Sequence, residues 1–321
     1  MQSYEALSQQ FGEQFNVPHF PESPASLYDP NRYFLGLGGK RIRPVLCLMG
    51  NELFEEISVD AWPVASAIEL FHNFTLVHDD IMDAAPLRRG METVHQKYGP
   101  STALLAGDVM LVTAYDYLNK IGPKFLPAII HLFNKTAREV CEGQQLDMDY
   151  EKMEEVNFDE YVHMINLKTS VLLAASLQMG AIIGGAGERN QNLLYQFGKK
   201  LGLAFQVQDD YLDAFGDPQK FGKQVGGDIL SNKKTFLLIH AFTAASEDQK
   251  IILKNEMAGN NENKVAEVLK IFSHCKVGEW AKELKDRYLA EALAHLEDIA
   301  VLSKRKEPLR KLAAFLIQRD Y

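Results

Sequence analysis

The chain has 321 residues, 46% of them hydrophobic, and 34 Lys and Arg against 43 Asp and Glu give a formal net charge of −9. Such an apolar content supports a real core and excludes a disordered chain, and no Pro/Ser-rich linker or low-complexity stretch divides it, so one domain over residues 1–321 is expected. The acidic balance argues against a nucleic-acid partner, which would need a basic face.

In chain order, residues 1–15 read as an amphipathic helix carrying Glu5 and Glu13. It lacks the basic start and apolar core of a signal peptide, which points to a cytoplasmic protein. Apolar residues then recur at three- and four-residue spacing, predicting helices over 44–54, 64–82, 102–118, 127–146, 158–183, 193–215 and 277–302. Turn signals separate them at Gly99-Pro100, Gly122-Pro123, Gly184-Gly185 and Gly216-Asp217-Pro218, and alternating strand patterns are scarce. The expected fold is an all-α bundle whose central helices are apolar almost all round. The most apolar stretch, Val171 to Gly187, is interrupted by Ser176 and Gln178 and ends in glycines, so it reads as a buried helix and no integral membrane association is expected. Cys47, Cys141 and Cys275 form neither a disulfide framework nor a metal knuckle, and buried reduced thiols are expected.

Two clusters of one form carry the chemistry: Asp79-Asp80-Ile81-Met82-Asp83 and Asp209-Asp210-Tyr211-Leu212-Asp213. Each follows an apolar helical run and precedes a breaker, Pro86 or Gly216-Asp217-Pro218, so each sits late on a helix. Like charges at i,i+4 destabilise a helix by roughly 0.2–0.5 kcal/mol per pair, and carboxylates near a helix C-terminus also oppose the macrodipole. One such cluster is commonly a solvated face. Two of them point to bound metal. Carboxylate oxygens suit Mg²⁺ or Mn²⁺, and Mg²⁺ takes one or two carboxylates and completes its shell with water and substrate phosphate. The spacing does not fit a calcium-binding EF-hand loop.

Cationic groups cluster near Gly and Pro breaks: Gly38-Gly39-Lys40-Arg41-Ile42-Arg43-Pro44, then Arg88-Arg89-Gly90, then Lys220, Lys223, Lys233 and Lys234. Glycine pairs let backbone amides approach an anion, and Arg forks grip phosphate bidentately, so these segments read as clamps for two polyanions. Lys199-Lys200 and Lys304-Arg305-Lys306 read instead as solvated faces.

Together with Lys168-Thr169 and Phe205-Gln206-Val207-Gln208 ahead of the second cluster, these blocks resemble, in order from about residue 38 to 234, the trans-isoprenyl diphosphate synthases. The resemblance implies an all-α prenyltransferase with a large central apolar cavity, usually a homodimer, that condenses isopentenyl diphosphate with an allylic diphosphate (dimethylallyl, geranyl or farnesyl). It implies Mg²⁺ or Mn²⁺, three ions per site, held between the clusters by Asp79, Asp80, Asp83, Asp209, Asp210 and Asp213. Arg88, Lys168, Lys223 and Lys233 would hold the allylic diphosphate, and Lys40, Arg43, His72 and Arg89 isopentenyl diphosphate. Thr169 and Gln206 would line the reacting carbons; with Asp79, Asp80, Asp83, Lys168 and Asp209 they make the expected catalytic set. Some members carry Gln where His72 stands, and Arg319-Asp320-Tyr321 lacks the strongly basic tail of others.

The chemistry fits independently. Ionising an allylic C–O bond leaves a carbocation and a polyanion, so the catalyst needs electrostatic stabilisation of the leaving group and a dry cavity, not a protein nucleophile. The growing chain would run back from the first cluster along its helix, where a turn of about 5.4 Å matches roughly one isoprene unit. Phe74, with Thr75 beside it and small Ala67 and Ser66 deeper, would form the floor. An aromatic at that place resembles short-chain members making C15–C20 products, farnesyl or geranylgeranyl diphosphate. A class I terpene cyclase fits less well, because it would not need the second polyanion clamp of Lys40 to Arg43. A non-catalytic subunit would not need both charge sets intact.

Overall fold

A computed structural model describes residues 1–216, 225–259, 261 and 263–318. The elements in order are α1 (Tyr4–Phe15), α2 (Ala25–Gly36), α3 (Ile42–Glu52), α4 (Ala61–Met82), β1 (Leu87–Arg88), β2 (Met91–Glu92), α5 (Val94–Tyr98), α6 (Pro100–Leu118), α7 (Leu126–Lys152) and α8 (Phe158–Ile165). A π-helical turn over Asn166–Ser170 leads into α9 (Val171–Ile183), followed by α10 (Glu188–Phe215), α11 (Gly227–Leu230), α12 (Phe236–Ala244), α13 (Glu247–Ala258), α14 (Lys264–His274), α15 (Val277–Glu297) and α16 (Ser303–Ile317). The fold is all-α, as expected, and the two-residue antiparallel hairpin is the sole sheet among the described residues.

Local chemistry starts several of these helices. Ser3 and Thr235 accept from the Ala6 and Leu238 amides, and capping boxes at Asn157/Glu160 and Ser246/Gln249 satisfy amides that α8 and α13 cannot pair internally. Both aspartate clusters do sit at helix ends: α4 stops at Met82 with Asp83 as its C-cap, and α10 stops at Phe215, one residue before Gly216.

The chain forms two compact units: residues 1–135, 175–194 and 300–308 make unit 1, and 136–174, 195–299 and 309–321 make unit 2. In unit 1, α4 packs against both α3 and α6, and Val45, Leu48, Ile68, Phe71, Ala103 and Met110 on these helices are each at most 1% exposed. Glycines set the closest approaches. A Cβ on Gly107 of α6 would overlap the His78 ring, and one on Gly180 of α9 would overlap the Cys47 carbonyl. In unit 2, a Cβ on Gly143 of α7 would overlap the backbone of Lys168, so α7 lies directly against the π-turn.

Several expectations need correction. The window 158–183 is interrupted by the π-turn, whose extra residue leaves no mark in the apolar periodicity. It is the one described helical run long and apolar enough to cross a membrane, and 67% of its most apolar window is buried. Cys47 is buried, but Cys141 is exposed and Cys275 intermediate; all are free thiols. Lys304-Arg305-Lys306 is not a solvated face: Lys306 is 4% exposed, and Arg305 donates to the Leu53 and Phe54 carbonyls at the end of α3.

Candidate active site

Unit 1 holds the first cluster and most of the arginines. Asp80, 1% exposed, accepts from Arg88 Nε at 2.9 Å and Nη2 at 2.5 Å, and Arg88 Nη2 lies 3.8 Å from Asp79. Burial raises the Asp80 carboxyl above its ordinary value while Arg88 works against the rise. Asp83 is exposed at the helix end. The hairpin explains how Arg88 comes back to a residue eight positions earlier. Arg89 and Gly90, at φ 56° and 77°, form the two-residue loop that a type I′ hairpin requires, so Arg88 pairs with Met91 and its side chain reaches Asp80.

The same loop lays the Arg89 guanidinium over the Gly39 backbone, where its Nη2 is 2.9 Å from the place a Cβ would occupy. Arg43 Nη1 donates to His72 Nε2 at 3.0 Å. Burial, then the nearby charges of Arg43, Arg89, Arg88 and Arg41, hold the His72 imidazole well below its ordinary value. The arginines around it thus hold His72 as a neutral imidazole in a locally positive field, within which Arg41 is itself paired with Glu69. Lys40 precedes this ring on the same loop, half a turn before α3.

On α4 the chain-length candidates lie N-terminal to Asp79. Phe74 is 9% exposed, its ring 4.7 Å from His78 and 5.6 Å from Phe71, and Phe71 meets Phe133 at 5.2 Å. The Thr75 hydroxyl donates to the His72 carbonyl at 2.8 Å.

Unit 2 holds the second cluster. Asp210, 2% exposed, accepts from Gln206 Nε2 at 2.9 Å, the Tyr161 hydroxyl at 3.2 Å and the Phe236 amide at 3.3 Å. Burial, then the charge of Asp228, pushes its carboxyl well above its ordinary value. Asp213 accepts from the Asp228 amide at 3.0 Å, and its backbone carbonyl accepts from Gly226 at 2.7 Å. Gln206 also accepts from the Thr169 hydroxyl at 3.5 Å, which links the π-turn to the cluster. Beside Thr169, Lys168 donates to Asp147 of α7 at 2.6 Å. The aromatic backing of this site is continuous: Tyr161 on Phe236 at 4.6 Å, Phe236 on Phe158 at 5.7 Å, Phe158 on Trp280 at 6.0 Å, and Trp280 stacked on His240 at 4.0 Å.

Lys233 is half-buried, its amide bonded to the Asp228 carbonyl at 2.9 Å. Lys234 instead donates to the Tyr150 and Glu151 carbonyls at the end of α7, where a cation complements the helix dipole, so it braces α7. Lys220, Lys223, Asp217 and the terminal Arg319-Asp320-Tyr321 lie outside the described residues. The sequence did not point to Asp147, Asp228, Tyr161 or Asn73. Tyr161 carries a usable signal in hindsight, since it stands seven residues, two helical turns, before Lys168.

Among the described residues no three His, Cys, Asp or Glu side chains form a ready metal cage. The donor set still fits a hard divalent ion. Asp80 and Asp210 are buried carboxylates whose protons or cationic partners a metal could replace, and such an ion needs few carboxylates when phosphate and water complete its shell.

The fold is all-α and its two aspartate clusters stand at helix ends, the first paired with Arg88; its relatives make the chain a prenyltransferase. The chain belongs to the polyprenyl synthetase family, which matches residues 24–275. Members of this family generally use a divalent metal. The chain is 40% identical to the short chain isoprenyl diphosphate synthase of Methanocaldococcus jannaschii, over 92% of this chain and 90% of that one. It is 36% identical to the geranylgeranyl diphosphate synthase of Methanosarcina mazei, over 93% and 91%. A solved structure of a geranylgeranyl pyrophosphate synthase superposes with a TM-score of 0.94 at 43% identity, covering 99% of both chains.

Proposed function

We propose that this protein condenses isopentenyl diphosphate head-to-tail with an allylic diphosphate, giving linear all-trans C15–C20 diphosphates, geranylgeranyl diphosphate first among them. The observation that carries the reading is the family match through residues 24–275, which contains every residue assigned to the site. Asp79, Asp80, Asp83, Asp209, Asp210 and Asp213 would hold Mg²⁺, three ions per site, and the metal would neutralise the leaving diphosphate. Arg88, Lys168, Lys223 and Lys233 would bind that same diphosphate. Lys40, Arg43, His72 and Arg89 would grip isopentenyl diphosphate; support comes from Arg43 bonded to His72 and from the positive charge that holds His72 neutral. Thr169 and Gln206 would face the reacting carbons. Phe74 would limit the product.

A homodimer forms part of the proposal, supported by Leu104, Leu105 and Val112 of α6, each at least half exposed. One catalytic domain does too, because the family match runs through parts of both units. A cytoplasmic location is supported by three free thiols. The test is incubation with Mg²⁺, isopentenyl diphosphate and each allylic primer in turn, with products sized by mass spectrometry. Linear diphosphates lengthened by five carbons per cycle are expected. Folded protein that elongates no primer would overturn the reading.

A further inference from the structure

The basic block Lys40-Arg41-Ile42-Arg43 does not present its three cations alike. Arg41 is the N-cap of α3 in a left-handed conformation, φ 51°, next to Gly38 and Gly39, also at positive φ. Its guanidinium is committed to internal partners: Nη1 donates to Glu69 Oε1 of α4, Nη2 donates to the Leu35 carbonyl at 3.4 Å, and its Cζ lies 5.2 Å from the centre of the Phe15 ring. Glu69 is 3% exposed and accepts from Asn73 Nδ2 at 2.9 Å on the same oxygen that receives Arg41. A second tie comes from α1, whose Tyr4 hydroxyl donates to the Lys40 carbonyl.

Lys40 and Arg43 therefore flank a residue anchored to α4 on one side and braced by α1 on the other. A strained loop with a glycine pair would otherwise sample many conformations. Fixing it in advance removes the ordering cost from diphosphate binding. We propose that Arg41 is a positioning residue, locked by Glu69 and α1, that preorganises Lys40 and Arg43 for isopentenyl diphosphate without itself binding phosphate. This rests on the reading of Lys40 and Arg43 as that substrate's clamp.

The experiment compares Arg41→Ala, Glu69→Gln, their double variant, Tyr4→Phe and Arg43→Ala by steady-state kinetics with each substrate varied in turn, alongside thermal melts. Arg41→Ala and Glu69→Gln are each expected to raise KM for isopentenyl diphosphate about tenfold, equivalent to about 1.4 kcal/mol, with KM for the allylic diphosphate nearly unchanged. The double variant should be no worse than the worse single, because both break one link. Tyr4→Phe, at the periphery of the fold, should shift the same KM about threefold and keeps the test open if the buried variants unfold. An effect of Arg41→Ala with none from Glu69→Gln would make Arg41 a direct ligand and overturn the proposal. So would equal changes in both KM values, which mark a general loss of structure. Arg43→Ala separates the two layers: if it leaves KM for isopentenyl diphosphate unchanged, the clamp reading itself fails.

Discussion

Replacing Phe74 by Ala should lengthen the product by about one five-carbon unit. Phe74 lies five residues before Asp79, about 7.5 Å along the axis of α4 at 1.5 Å per residue. With its ring removed, the next aromatic on that face is Phe71, eight residues and about 12 Å before Asp79, its own ring held against Phe133 at 5.2 Å. The gain in depth is about 4.5 Å, close to one helical turn and to one isoprene unit, so the new floor should stop growth one cycle later and not release it. Truncation should also cost on the order of 3 kcal/mol of stability, given that Phe74 is 9% exposed and packs on His78 and Phe71. The assay is single-primer elongation with chromatographic sizing, run well below the melting midpoint of the variant. An unchanged product distribution at normal turnover would refute the floor; products several units longer would refute Phe71 as the second stop.

The remaining predictions concern residues of both units. The His72 value in the folded state is depressed by burial and four arginines, so its contribution to stability is full above the unfolded value of about 6.5 and is lost as pH falls below it. Melting midpoints across that range should fall more steeply for the native protein than for His72→Gln, which keeps a polar partner for Arg43 without a titrating ring. Gly143→Ala should push the π-turn away from α7, destabilising the fold by about 1–3 kcal/mol and lowering kcat more than either KM, as single-turnover kinetics would report. Asp79→Asn should reduce kcat by about 10²-fold or more, and chelation should abolish activity reversibly on return of Mg²⁺.

Long helices and both aspartate clusters were legible because their signals are local: periodicity, a breaker after each cluster, three carboxylates in five residues. Helices α2, α5, α11 to α14 and α16 were not: α5 and α11 span only five and four residues, and Phe236–Ala244 is apolar without a face. The pairings that shape the site were hidden for a different reason. Arg41 meets Glu69 across 28 residues, Lys168 meets Asp147 across 21 and Tyr161 meets Asp210 across 49, and only tertiary packing brings such partners together. The hairpin at Arg89-Gly90 was visible as a break, but a turn of arginine and glycine carries charge and geometry at once, and sequence reading registers the charge first.

The aromatic backing of Asp210 gives the protein a built-in optical probe. The chain has two tryptophans, and they fall one to each unit: Trp62 in the first turn of α4, and Trp280 against His240 at the far end of the ring series that begins with Tyr161. Emission from a Trp62→Phe protein would report on the unit that holds the second aspartate cluster, and emission from Trp280→Phe on the unit that holds the first. Each half could then be titrated with metal or diphosphate and its response read without any attached label.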